Sequence, residues 1–134
     1  FNGTVTNGVR DLQSDFILYR YADVLLMIAE AKNALSEDPT VEVNLVRQRA
    51  YGADFGSHEF VPGTQEQNDE AILKERLFEF ALEGKRWWDL VRFGKAFELV
   101  PSLQGKESQV HLLYWPAGVA LTTREPLVTE TPGW

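Results

Sequence analysis

Residues 20–35 constrain the fold more than any other part of this chain. Tyr21, Val24, Leu25, Ile28, Ala31 and Leu35 recur at helical spacing, and Ala22, Leu26 and Ala29 widen that face. Only Arg20, Asp23, Met27 and Glu30 leave a narrow stripe for polar contacts. A helix this apolar is expected to be covered on most sides, and Ala22, Ala29, Ala31 and Ala34 let neighbouring helices approach closely.

Ser36-Glu37-Asp38-Pro39 reads as a stop followed by a restart, with Asp38 as N-cap and Pro39 at the first helical position. The second helix is predicted to run to about Tyr51, with Val43, Val46 and Ala50 inward and Gly52 closing it. A long helix followed by a short one has the size of one tetratricopeptide-like unit. A lone unit of that kind cannot bury its own apolar face. Residues 52–68, with Gly52, Gly56, Pro62 and Gly63, form a loop long enough to be functional.

A third helix is predicted from Asn68 or Asp69, carrying Ile72, Leu73, Leu77 and Phe80 and ended or kinked by Gly84. A fourth, short one holds Trp87, Trp88, Leu90, Val91 and Phe93 and closes at Gly94. Beyond Pro101 the period fades, apart from the apolar run Leu112-Leu113-Tyr114-Trp115 that stops at Pro116. Residues 1–15 read as a loop or extended lead-in, and residues 125–134 as an extended tail. The expected fold is therefore mainly α, with tetratricopeptide-like helix pairs and an irregular, loop-rich C-terminal third. Its helices are placed near 20–35, 40–51, 69–83 and 85–93, and its extended tail at 101–134.

With 44% hydrophobic and 25% charged residues, 134 residues suit one domain or a piece of a larger one. A net charge of -7 argues against nucleic acid, whose affinity rests on Lys and Arg neutralising phosphates, and against docking on anionic lipid. Without cysteine there is no disulfide framework, thiolate metal site or thiol nucleophile. No apolar stretch has membrane-spanning length and no basic-then-apolar leader is present, so a processed chain or a fragment is expected. Asn2-Gly3-Thr4 fits a glycosylation triplet, a pattern short enough to arise by chance.

Three segments together carry a family resemblance. The first is Arg20-Tyr21-Ala22-Asp23-Val24-Leu25-Leu26-Met27-Ile28-Ala29-Glu30-Ala31, and the second is Asn44-Leu45-Val46-Arg47-Gln48-Arg49-Ala50. The third joins Glu75-Arg76 and Glu79 to Glu83-Gly84-Lys85-Arg86-Trp87-Trp88-Asp89-Leu90-Val91-Arg92. In order and spacing they resemble the C-terminal portion of the SusD/RagB family, from about Phe16 to Phe97. The tail is looser. Tyr114-Trp115-Pro116, Glu125-Pro126 and Glu130-Thr131-Pro132-Gly133-Trp134 keep the family's prolines and glycine but replace its amides.

The resemblance implies a surface-exposed lipoprotein of the outer membrane that binds a glycan or other oligomeric nutrient without catalysis. Its implied partner is a TonB-dependent, SusC-like transporter, on which it acts like a lid. Membrane association would run only through a lipid anchor outside this chain, on a cysteine upstream of Phe1. No cofactor is implied, and the family's ligand contacts tend to come from loops of the part missing here.

The residues themselves are weighed separately. Glu75, Glu79 and Glu83 at i, i+4, i+8 could supply a glycosidase acid and base. That work needs carboxyls on opposite sides of a cleft, and beside Arg76, Lys85 and Arg86 they read instead as an ion-pair network. Arg20, Asp23, Glu30, Arg47, Arg49, Arg86, Asp89 and Arg92 read as forks and carboxylates between packed helices rather than a grip on an anion. Trp87 and Trp88 point about 100° apart on a helix, so they read as core anchors rather than one sugar platform. Tyr114 and Trp115 are more open to a ligand role. His58 and His111 lack the spacing of a metal site, and no phosphate loop or nucleophile elbow is visible. A tetratricopeptide-like adaptor is the alternative to a nutrient-binding subunit, and a glycoside hydrolase ranks third.

Overall fold

The computed structural model describes residues 3–12, 17–125 and 127–134, in two units that run from residue 1 through 65 and from 66 through 134. Asn2 of the glycosylation triplet and Pro126 of the tail lie outside the described residues. In the first unit, β1 (Gly3–Thr6) and β2 (Val9–Leu12) form an antiparallel hairpin with Val5 opposite Arg10. Asn7 and Gly8 turn it with φ of 53° and 77°, the left-handed pair a two-residue hairpin loop needs. Part of the expected loop-like lead-in is thus a defined hairpin.

The first helix pair follows. α1 (Tyr21–Ala34) ends on Ser36, whose φ of 61° lets its N–H reach the Asn33 carbonyl while Glu37 N–H reaches Lys32. α2 (Thr40–Tyr51) begins one residue after the expected position. Asp38 still caps it, accepting from the Thr40 hydroxyl and amide, which hold its carboxyl below the ordinary value. The buried apolar residues are Leu25, Leu26 and Ala29 on α1 and Val43 and Val46 on α2. Ala50 is exposed, and so are Tyr21, Val24, Ile28, Ala31 and Leu35, the greater part of the face that spacing alone turns inward. A second correction concerns the loop after α2. Its first part is a 3-10 turn (Gly52–Ser57), tied back by Arg47 Nη1 donating to His58 O and by Phe60 N donating to Asn44 Oδ1.

α3 (Gln65–Glu79) begins well before the expected Asn68, with Asn33 Nδ2 donating to Gln65 O at 2.9 Å. It also ends earlier than residue 83, because Leu82 takes a left-handed φ of 67°. α4 (Arg86–Arg92) closes at Gly94, where φ is 67° and Lys95 N–H reaches the Leu90 carbonyl. The region past residue 95 is not uniformly extended. It contains α5 (Ala96–Leu99), 3-10 turns at Pro101–Leu103 and Val110–Leu113, and α6 (Val119–Arg124). The second unit's core gathers Leu73, Leu90, Ala96 and Leu103, flanked by Trp87, Phe97, Leu112 and Leu113. That explains the isolated apolar run before Pro116, which docks its two leucines on this cluster.

Leu82 is fully exposed in its left-handed conformation, so its side chain gains nothing for that strain. Leu82→Gly is expected to raise stability by about 1 kcal/mol, read by urea unfolding.

Candidate functional site

The third motif segment builds the strongest polar arrangement in the molecule. Arg76 comes from α3 and Asp89 from α4, and their side chains are only 6% and 2% exposed. Arg76 Nε donates to Asp89 Oδ1 at 2.8 Å, and Arg92 Nη2 donates to the same oxygen at 3.0 Å. The Arg76 guanidinium lies 4.9 Å from the Phe80 ring centre, with the Lys85 ammonium 4.6 Å from the same ring. Arg76 Nη1 and Asp89 Oδ2 are buried with no hydrogen-bond partner among the described residues. The aromatic ring offers the guanidinium a partial substitute. Arg86 Nη1 donates to the Leu73 carbonyl at 3.1 Å. These cations and carboxylates therefore spend themselves on helix–helix contacts, as their sequence context predicts.

Beside them lies a cavity of about 340 Å³, lined by Leu77, Phe80, Leu82, Arg86 and Trp87 among others. A second, of about 410 Å³, lies between α1 and α2 at Arg20, Tyr21, Leu25, Leu45, Val46 and Arg49. Neither presents opposed carboxylates.

The carboxylate ridge does not survive as a ridge. Glu75 is buried, Glu79 is the last residue of α3, and Glu83 lies beyond the helix with Lys85 Nζ 3.6 Å from its carboxylate. Asp23 is buried at the start of α1, where its Oδ2 accepts from Arg20 N at 3.0 Å; Glu30 is half-buried. Trp87 packs on the core, whereas Trp88 is 56% exposed and is not the core anchor its motif context implies. Tyr114 and Trp115 are exposed. His58 stacks on Tyr51 at 3.8 Å, and His111 meets Trp134 edge-on at 5.3 Å. Among the described residues no three His, Cys, Asp or Glu side chains are grouped to hold a metal ion.

The C-terminal residues show a contact that spacing could not reveal. Glu130 Oε1 accepts from Ala117 N at 2.7 Å and from Thr131 N at 3.0 Å, and Trp134 Nε1 donates to His111 O at 3.1 Å. Gly133, at φ 109°, has room for no side chain: a Cβ there would stand 2.5 Å from His111 Nδ1. Gly133→Ala is expected to lift Trp134 off His111 at a cost of roughly 1–3 kcal/mol. A red shift in tryptophan emission with unchanged helix content is the readout.

The paired helices, the buried Arg76–Asp89 contact and the α4 cap all rest on the three motif segments. The SusD family model matches residues 4–124. The chain belongs to the SusD family. SusD-like protein P38 of Formosa agariphila is 38% identical over 110 residues, covering 77% of this chain and 21% of its own length. SusD-like protein P2 of the same organism is 30% identical over all of this chain, and 29% of its length is covered. Among solved structures, B. fragilis NanU is 35% identical with a TM-score of 0.67, covering 99% of this chain and 30% of NanU. A SusD superfamily protein from Bacteroides vulgatus is 36% identical with a TM-score of 0.62, at 98% and 31% coverage. The chain thus spans about a fifth to a third of the length of these SusD-family relatives.

Proposed function

We propose that this chain is the C-terminal portion of a surface-exposed outer-membrane lipoprotein that binds a glycan or other oligomeric nutrient and performs no chemistry on it. The nutrient passes to a TonB-dependent, SusC-like transporter on which the protein acts as a lid. Membership of the SusD family, with all three motif segments in order, carries this reading. The site geometry agrees with it. The charged motif residues are engaged in helix–helix contacts, and the two cavities offer aromatic and aliphatic walls rather than an acid–base pair. This portion therefore serves as scaffold, and ligand contacts come chiefly from loops elsewhere in the full-length protein.

The test combines affinity electrophoresis of the full-length protein in polysaccharide gels with a pull-down from outer membranes. Retardation without release of reducing ends, and recovery of a TonB-dependent transporter, are the expected results. Release of reducing ends that Glu79→Gln abolishes would establish a hydrolase instead. Repeated recovery of other proteins and never a transporter would favour an adaptor.

A further inference from the structure

The structure leaves a second apolar seam open on α1. Tyr21, Val24, Ile28, Ala31 and Leu35 follow one another at alternating steps of three and four residues, the a/d pattern of a helix that packs along another helix. None of them is the face α1 uses in the first unit's core, which is Leu25, Leu26 and Ala29. Tyr21, Val24, Ile28 and Leu35 are 72%, 42%, 41% and 71% exposed, and Ala31 is exposed with them. The a/d seam and the buried trio lie on largely different sides of the helix, so α1 is built to be gripped twice. At one end the seam opens into the 410 Å³ groove at Tyr21, Leu25, Leu45 and Val46, a hole of the kind that receives a side chain from a facing helix.

We propose that this seam seats a helix from the part of the same polypeptide that lies outside this chain. Three observations commit it to that occupant. An a/d repeat running the length of a 14-residue helix asks for a helix, about 21 Å of matching ridge, rather than a loop or a small ligand. The relatives carry three to five times as much chain, since this one covers 21–31% of them. In NanU the fold that matches this chain is 30% of one longer polypeptide, so a further helix pair is available in cis without a second molecule. A helix pair with an open apolar face stacks on a neighbouring pair, because alone it leaves that face in water. The seam is then an internal joint of the full-length protein, and α1 is the helix through which this portion is anchored to the rest.

This inference rests on the proposed reading of the chain as part of a longer protein. The experiment uses the native-length polypeptide with Val24→Cys, Ile28→Cys or Ala31→Cys, and Glu37→Cys as an exposed reference. This stretch contains no cysteine of its own. Maleimide labelling is mapped by mass spectrometry, and Tyr21 in the unaltered protein is footprinted with hydroxyl radicals so that no substitution is required. Seam positions are expected to label about tenfold or more slowly than position 37, at every protein concentration. Equal rates in the folded monomer overturn the proposal. So does protection that disappears on dilution, which marks a second copy, or protection that appears only with the transporter bound. Protection already present in the isolated 134-residue chain places the cover within it and also overturns the proposal. A native product no longer than this chain removes the occupant and the longer-protein reading together, whereas a longer product with an open seam removes the occupant alone.

Discussion

Asp89→Ala is expected to lower the unfolding free energy by about 3–5 kcal/mol. The substitution removes the acceptor of Arg76, whose side chain is 6% exposed, and leaves a guanidinium buried with only the Phe80 ring against it. Stranding a buried charge costs more than the pair itself gains. In a unit of this size the melting temperature should fall by more than about 10 °C. Arg92→Ala removes the other donor to the same oxygen, yet its side chain is 43% exposed, so a loss of about 1 kcal/mol or less is expected. The double variant Arg76→Met/Asp89→Leu should recover most of the loss, since neither charge is then left alone. A double variant as unstable as the sum of its parts would show that packing, not charge, explains the Asp89 result. Denaturant unfolding of the set gives the order directly.

Leu26→Ala carries the second large effect. Leu26 has no exposed surface and sits in the middle of α1, so truncation leaves a cavity in the first unit's core. The expected loss is about 2–5 kcal/mol. Ile28→Ala, two residues on, should cost about 1 kcal/mol or less in this chain, because Ile28 is 41% exposed. The contrast separates the two faces of α1. If Ile28→Ala proves as damaging as Leu26→Ala in the 134-residue chain, the assignment of the core face is wrong.

That contrast also shows where the sequence was legible. The positions of α1, α2 and α4 follow from apolar spacing and from punctuation at Ser36-Glu37-Asp38-Pro39, Gly52 and Gly94. The face of α1 does not, because apolar residues occupy nearly its whole circumference. When two stripes both satisfy the period, only the neighbours decide which is core. α3 begins early because Gln65-Glu66-Gln67 makes a polar, exposed first turn that leaves no apolar signature. Its end depends on a leucine in a conformation that sequence rules reserve for glycine. The hairpin was readable, since Asn7-Gly8 stands between Val5 and Val9, but the surrounding polarity masked it. Trp88 shows the limit of motif context, being outward although its neighbour Trp87 packs inward.

The motif charges were read correctly in kind, as helix-to-helix contacts, without their geometry being accessible. That Arg76 and Arg92 converge on one oxygen of Asp89 depends on the turn between α3 and α4, which no spacing rule specifies. The Glu130 contact to Ala117 N is likewise tertiary, joining residues thirteen positions apart.

The central claim is that the motif residues of this SusD-family portion hold its helices together rather than grip the nutrient. The most direct measurement follows melting temperature and polysaccharide affinity together, on full-length wild type and Asp89→Ala at a temperature where both are folded. The expected result is a large fall in melting temperature, with the dissociation constant unchanged to within about twofold. Unchanged melting with lost binding would contradict the claim and place Asp89 in the grip on the ligand.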